Sequence, residues 1–517
     1  METPLQKIRQ SPVLIVLTVN ILIGLMTFRN YGLSWDEPLF YDYADALRYA
    51  YTPREWFSGD FDLQNAYGAS GTDHANRGPA YILIARPFVS LIEAFGMDNA
   101  SSWHLINFLT FQLGIYLFYR FTVKWMNKPA ALAASLFFAW QPLLWGHSFI
   151  NPKDPPFLVF FIGAMCFGFE MVDDVAENKK TEFTKIFTAA FFLGIATSIR
   201  VLGPLAAVLT GLYAISQLNK IKLSAFLKHY AVYAVFAILI TFLAWPYLWT
   251  SPLQKFIEVF GFMSDNPTQL NVLFYGSQYQ AGNLPLRYFP TLLGYTLTEP
   301  VWILFITGLI LGFWRSNNKQ RLAHILILLW FIIPFAYAML RRPAMYDGFR
   351  HFLFILPPIF IFAGFAFEKI AELAKGKWTS ITTTGLILAF GIVPSVNLHP
   401  YEYAYYNSFT GGTAGAFRTY ETEYWLTCYR EAVLRINEEA PAGSQLFVRR
   451  EPYIAAYYAS SDIIIRDFRT EQKDMQPGDF YLANTRSNED LRFLRDQPAF
   501  IEVTRQGATF CIIKQVP

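Results

Sequence analysis

Polar and apolar positions do not alternate along most of this chain; the polar ones gather between long apolar runs. The first run, SPVLIVLTVNILIGLMTF, covers 11–28. Others lie near 103–122, 130–148, 157–172, 184–199, 201–217, 230–248, 291–313, 322–340, 351–367 and 380–396. A helix crossing a bilayer needs about 20 mostly apolar residues, so the pattern predicts about eleven transmembrane helices. Lys7 and Arg9 before the first run would also suit a signal peptide. No small-residue cleavage site follows, however, and more spans do, so the run reads as a retained first helix. A further apolar stretch, from Pro79 to Gly96, carries Arg86, Pro87 and Glu93 and reads as a helix lying at the outer interface, with a tilted span as the alternative.

Charge orders these runs. Every second connection is basic: Lys124 and Lys128; Lys179, Lys180 and Lys185; Lys220, Lys222 and Lys228; Arg315, Lys319 and Arg321; Lys369, Lys375 and Lys377. Basic connections belong in the cytoplasm, which puts the N-terminus there too. The other face then receives connections at about 29–102, 149–156, 249–290 and 341–350, and everything after about 397. The expectation is an integral, multi-pass membrane protein with its C-terminal part outside.

After Asn397 the pattern changes to short alternating segments. Helices are expected near 426–438, at EPYIAAYYAS and at NEDLRFLRD; strands at QLFVRR, DIIIRDF and DFYLANT, and in a pair turning at Gly507. The predicted fold class is thus an α-helical polytopic membrane protein with a small C-terminal α/β soluble domain. Residues 1–396 form the membrane domain and 397–517 the extracytoplasmic one.

Composition agrees. Only 16% of the 517 residues are charged, against about 25% in a soluble domain, and the net charge of +3 supplies no basic face for nucleic acid. Three cysteines are too few for a disulfide framework. Cys166 reads as a small buried hydrophobe, while Cys428 and Cys511 can pair if the tail faces an oxidising compartment.

The candidate chemistry lies in the outer connections. Asp36 and Glu37 follow the first span in YGLSWDEPLFYDYADALRYAY. They can cap a helix starting at Pro38, or serve as a reactive carboxylate pair. Lys153 and Asp154 stand between Pro152 and Pro155, which limit where they can point. Arg341, Arg342, Asp347, Arg350 and His351 crowd RRPAMYDGFRHF, and Arg200 is a lone cation in TSIRVLG. Guanidinium groups match phosphate oxygens, and cations on an outer face run against the usual charge bias. No nucleotide-binding or zinc motif is present. A donor held without a nucleotide fold is implied, such as a sugar on a polyprenyl phosphate.

At these segments the chain resembles the GT-C superfamily of polyprenyl-phosphate-sugar glycosyltransferases, in particular its protein O-mannosyltransferase and lipid A aminoarabinose transferase branch. The resemblance rests on WDE after the first span, NPKDP, GIATSIRVLGP, WPYLW, FRHFLFILPP, and the tract HPYEYAYYNSFTGGTAGAFRTYETEYW from His399 to Trp425. Where mannosyltransferases show a His-Pro-Pro-like segment, this chain reads HANRGPAY, beginning at His74. The resemblance implies inverting transfer of a sugar to a hydroxyl of a lipid, glycan or protein acceptor at the outer membrane face. Asp36 would be the base, with Glu37 and Asp154 positioning the acceptor or holding a divalent metal. Lys153, Arg200, Arg341, Arg342 and Arg350 would serve the donor phosphate. The competing readings are a non-catalytic envelope assembly protein and a secondary transporter or lipid flippase, but transporters place ionisable groups near mid-membrane in two similar halves, and these charges gather at loop ends.

Overall fold

The computed structural model describes residues 11–177, 182–218, 223–264, 270–314, 318–374 and 377–517. Of the charged residues used above, Lys7, Arg9, Lys179, Lys180, Lys220, Lys222, Arg315 and Lys375 lie outside the described residues. All eleven apolar runs carry helix. The chain is a multi-pass, mostly helical membrane protein with a small sheet region. By length and composition five helices can cross a membrane: Val13–Asn30, Asp154–Ala176, Phe226–Leu243, Gln320–Arg341 and Trp378–Leu398.

Besides the run 351–367, which begins as the 3₁₀ segment Arg350–Ile355 before helix Pro357–Ala374, two expected spans are broken. The run 130–148 is split into Lys128–Ala139 and Pro142–Ile150, because Pro142 lacks the N–H that would continue the first helix. The run 291–313 becomes Tyr288–Thr296 and Glu299–Trp314, bent by 108°; counted as one, this pair makes a sixth candidate span. The breaks meet. Gln141 Oε1 accepts from the Thr298 backbone N–H, and its Nε2 donates to Thr298 Oγ1, each at 3.0 Å. Backbone interrupted at membrane depth must find partners inside the protein; the Thr298 N–H finds Gln141 Oε1, and the Phe137 carbonyl at the first break accepts from Gln141 Nε2 at 3.1 Å.

Asp154–Ala176 is the central helix, 89% buried over its most apolar window, against 22% for the first span. Asn99–Thr122, Phe183–Ile199 and Pro204–Ile215 pack around it. Its first residue, Asp154, is thereby carried to the middle of the bundle at one end. At the other end Lys124 pairs with Asp173, and Arg120 with Glu170 at 2.7 Å. The stretch expected at the interface forms the helix Ala80–Glu93, with Phe88, Leu91 and the following Phe95 exposed. Arg86 is held by Asp45 at 2.5 Å and Glu93 at 2.6 Å.

Beyond the last membrane helix, the tract 399–427 packs on the membrane domain before any sheet begins. Tyr403 backbone comes so close to Gly146 that a Cβ there would collide with it, and Tyr424 Oη lies 3.2 Å from His147 Nε2. A two-stranded ribbon, β1 (Asn271–Phe274) with β2 (Ser277–Gln280), lies in the long connection before Tyr288. The C-terminal sheet comprises β3 (Ser444–Val448), β4 (Ile463–Asp467), β5 (Phe480–Asn484), β6 (Ile501–Arg505) and β7 (Ala508–Gln515). Their order is β4-β3-β5-β7-β6. β3 runs parallel to β4 and β5, while β7 is antiparallel to β5 and β6. Helix Tyr429–Glu439 packs on it, and a Cys428–Cys511 disulfide ties that helix to β7.

The helix expected at NEDLRFLRD does not form. Only a 3₁₀ segment, Arg486–Leu491, is present, with Ser487 and Asn488 at φ 50° and 56°. Both residues are buried, or nearly so, at a turn leaving β5: Ser487 N donates to Glu421 at 3.2 Å, and Arg418 reaches Asn488 at 3.0 Å. Tertiary partners thus hold a conformation that a helix-like pattern does not reveal.

Candidate functional site

A cleft open to solvent lies on the side where the long connections assemble, and the chain reaches it at Asp36, shortly after the first span. Its polar lining includes Asp36, Asn76, Arg77, Lys153, Arg200, Arg350 and His351. Its apolar wall comes from Trp245, Val201 and Leu202, and from Val259, Phe260 and Met263 of the helix Pro252–Ser264. That helix leaves Leu253 and Ile257 exposed. Among the described lining residues, Asp36 is the only carboxylate.

The two adjacent acids have opposite fates. Helix Glu37–Ala46 begins with Pro38 in its first turn, as expected, but Asp36 makes no capping bond and keeps 20% of its side chain exposed. Glu37 is fully buried. It accepts from Ser34 N at 2.6 Å and from Tyr41 Oη, and lies 3.1 Å from His104 Nε2. One residue of helical rotation sends Asp36 to the cleft and Glu37 into the protein.

Arg350 joins the carboxylates. Its Nη2 lies 3.1 Å from Asp36 Oδ2 and 3.2 Å from Asp347 Oδ2, and its Nη1 lies 3.1 Å from Asp154 Oδ2. Arg200, at the end of helix Phe183–Ile199, takes the other oxygen of Asp154. Asn151 fixes Asp154 twice, donating to Oδ2 and accepting from its backbone N–H, each at 2.9 Å. This is the work of the NPKDP turn. Three aspartates and three arginines form one chain of contacts: Arg200, Asp154, Arg350, Asp36, Asp347 and Arg486.

The second group of cations is less well matched. Lys153 is buried, its Nζ 5.5 Å above the Phe40 ring. Burial, then the neighbouring Arg200 and Arg77, drives its pKa well below the usual lysine value. Arg77 has a buried Nε without a partner, as do the ring nitrogens of His74 and Oδ1 of Asn76. Burial, and next Arg77, lower His74 to about 4, so it is neutral at physiological pH. The turn carrying these residues is tightly placed. Trp245 Nε1 donates to Ala75 O at 2.9 Å, and a Cβ on Gly78 would run into Ser198 O. Glycine is what brings Arg77 against the end of the Arg200 helix.

Of the expected site residues, Asp36, Asp154, Lys153, Arg200 and Arg350 come together. Glu37 lies behind the cleft wall. Arg341 ends the helix Asn318–Arg341, Arg342 follows it, and both are exposed and outside the cleft lining. Sequence reasoning passed over Arg77 and Arg486. The signal for Arg77 was the Gly-Pro directly after it, which marks a fixed turn; Arg486 lies in a polar segment and has no local signal.

A divalent metal does not suit this set of donors. Both oxygens of Asp154 are committed to arginines, and Asp347 accepts from Arg486 at 2.5 Å and Trp425 Nε1 at 2.9 Å. A metal would have to displace guanidinium groups that already neutralise these acids.

No protein-family model matches the chain, and no curated protein does. Solved structures do. ArnT from Cupriavidus metallidurans in the apo state aligns with a TM-score of 0.50 and 14% identity, over 97% of this chain and 98% of that one. The same protein bound to undecaprenyl phosphate aligns with 0.50 and 13%, over 97% of each chain. The Archaeoglobus fulgidus oligosaccharyltransferase in the apo form gives 0.51 and 12%, over 91% of this chain and 69% of that one. The chain therefore has the GT-C fold that the resemblance implies.

Proposed function

We propose that the protein is a membrane glycosyltransferase that moves a sugar from a polyprenyl-phosphate donor to an acceptor hydroxyl with inversion. The observation that carries this reading is the composition of the cleft: a single partly exposed carboxylate, Asp36, opposite surplus cations, with an apolar wall alongside. One of the structures sharing the fold, ArnT, was solved with undecaprenyl phosphate, which has the same chemistry: an anionic head and an isoprenoid tail.

In this reading the lipid phosphate binds Arg77, Lys153 and Arg200. Lys153 and Arg77 are the cations an arriving anion relieves most, since each is buried or half-buried near other positive groups. The isoprenoid tail lies along Val259, Phe260 and Met263 and leaves toward the lipid. Asp36 takes the proton of the acceptor hydroxyl as its oxygen bonds to the anomeric carbon. The bond from that carbon to the phosphate oxygen breaks on the opposite face, and the electron pair stays on the phosphate. The cations stabilise that developing charge, so no general acid is required. Glu37 acts from behind by fixing the turn that presents Asp36, while Asp154 fixes Arg200 and Arg350. Arg341 and Arg342 serve the surface at the mouth.

The same reading includes eleven spans with the broken pairs counted as crossings, and a cytoplasmic N-terminus. It also includes a division at about 396/397 with the C-terminal domain outside, and the bacterial inner membrane as location. The acceptor is a lipid, glycan or protein hydroxyl. The test is Asp36→Asn, which keeps size and polarity but cannot accept the proton. Turnover should fall by about 10²–10⁴-fold while undecaprenyl phosphate still binds. Turnover near the wild-type rate would remove Asp36 from the mechanism.

A further inference from the structure

The C-terminal sheet sends one residue into the ion network beneath the cleft. Arg486 follows β5, where Thr485 N is still bonded to Phe510 O at 2.9 Å, and the chain then turns sharply through Ser487 and Asn488. That turn leaves the Arg486 side chain buried, its Nη1 2.5 Å from Asp347 Oδ1 and 2.8 Å from Tyr424 O. Its guanidinium stacks 4.4 Å from the ring of Trp35, the residue before Asp36. Trp35 is itself tied to the same layer, its backbone N–H donating to Trp425 O at 3.1 Å.

We infer that Arg486 is a positioning residue for transfer: by neutralising Asp347 it leaves Arg350 available to Asp36, so the C-terminal domain completes the membrane site. This rests on the transferase reading above. Arg350 lies within 3.2 Å of three carboxylates and carries one charge. Asp154 has Arg200 as a second cation, and Asp347 has Arg486. Remove Arg486, and Asp347 becomes a buried carboxylate whose remaining cation is Arg350. Arg350 is then drawn away from Asp36, which is left to pair with Arg77 or Lys153, the groups meant for phosphate. Two further nitrogens of Arg486, Nε and Nη2, are buried without partners. A fold that needed only filled space would not keep such a group, because unpaired buried donors are costly.

The experiment measures undecaprenyl phosphate binding to full-length protein in detergent, with thermal unfolding in parallel. Arg486→Gln should weaken binding by about tenfold or more, the size of one charge-assisted contact. Asp347→Asn added to Arg486→Gln restores the charge balance and should bring affinity back to within about threefold of wild type, a coupling that a double-mutant cycle reads directly. A purely space-filling Arg486 would show no such rescue, because the double variant leaves the same hole. If Arg486→Gln alone does not fold, Arg486→Lys carries the test, keeping the charge but losing the planar fork. Because it still neutralises Asp347, it should bind within about threefold of wild type, and a loss as large as about tenfold in the folded Lys variant would overturn the inference. Wild-type protein that fails to bind undecaprenyl phosphate would overturn the donor reading itself. Wild-type binding with no loss in Arg486→Gln, or no rescue in the double variant, would overturn only the positioning role.

Discussion

Arg350 and Lys153 line the same cleft and are almost equally buried, at 5% and 7% exposure, yet their surroundings are opposite. Arg350 stands among three aspartates, each in contact with it. Lys153 feels Arg200 and Arg77 more strongly than the opposing charges of Asp154 and Asp36, and among the described residues no carboxylate lies within ion-pair distance of it. A buried cation surrounded by acids is held in place and holds others. A buried cation surrounded by cations is costly until an anion arrives. The first arrangement belongs to a framework and the second to a binding site, so within one cleft the match of charges separates the parts that shape the site from those that await the ligand.

The comparison can be broken most severely from the framework side. Asp154→Ala leaves Arg200 and Arg350 buried together without their shared acid, and should cost about 3–5 kcal/mol of stability, read as a large fall in Tm or loss of folded protein. A small effect would mean that the network is not structural. On the binding side, Arg77→Gln and Lys153→Gln should each weaken undecaprenyl phosphate about 10–100-fold, as expected for lost charge-assisted contacts, with Tm unchanged or raised. If Tm fell as in Asp154→Ala, the two groups would not differ in kind. The smallest effect belongs to the exposed pair at the mouth: Arg341→Gln and Arg342→Gln should change affinity by less than about threefold, as surface charges do.

The sequence revealed the helices better than their interruptions. Apolar runs mark burial in lipid or protein without saying whether the helix is continuous. The break at Pro142 has a visible cause in the proline, and the 108° bend near Thr298 has one in Pro300, but the Gln141 side chain that pairs with Thr298 comes from another segment. The sheet was legible from its alternation and its turn at Gly507, where φ is +76°. At the site, WDE and NPKDP point to Asp36 and Asp154, because acids close to a proline at the end of an apolar run are conspicuous. Which neighbour enters the cleft was not legible, since Glu37 differs from Asp36 only by one step around a helix. Arg341, Arg342 and Arg350 looked alike in one loop, and only the re-entering chain separates the buried one from the exposed two. Arg486 was hidden entirely, because its partner Asp347 is 139 positions away.

The most direct test is a structure of the Asp36→Asn protein with a polyprenyl-phosphate-linked sugar in the cleft, held there because turnover is blocked. The account predicts the phosphate within hydrogen-bonding reach of Arg77, Lys153 and Arg200, and the isoprenoid along Val259 and Phe260. The substituted amide at position 36 should face the anomeric carbon from the side opposite the phosphate. A phosphate bound instead at Arg341 and Arg342, with the cleft empty of lipid, would contradict it.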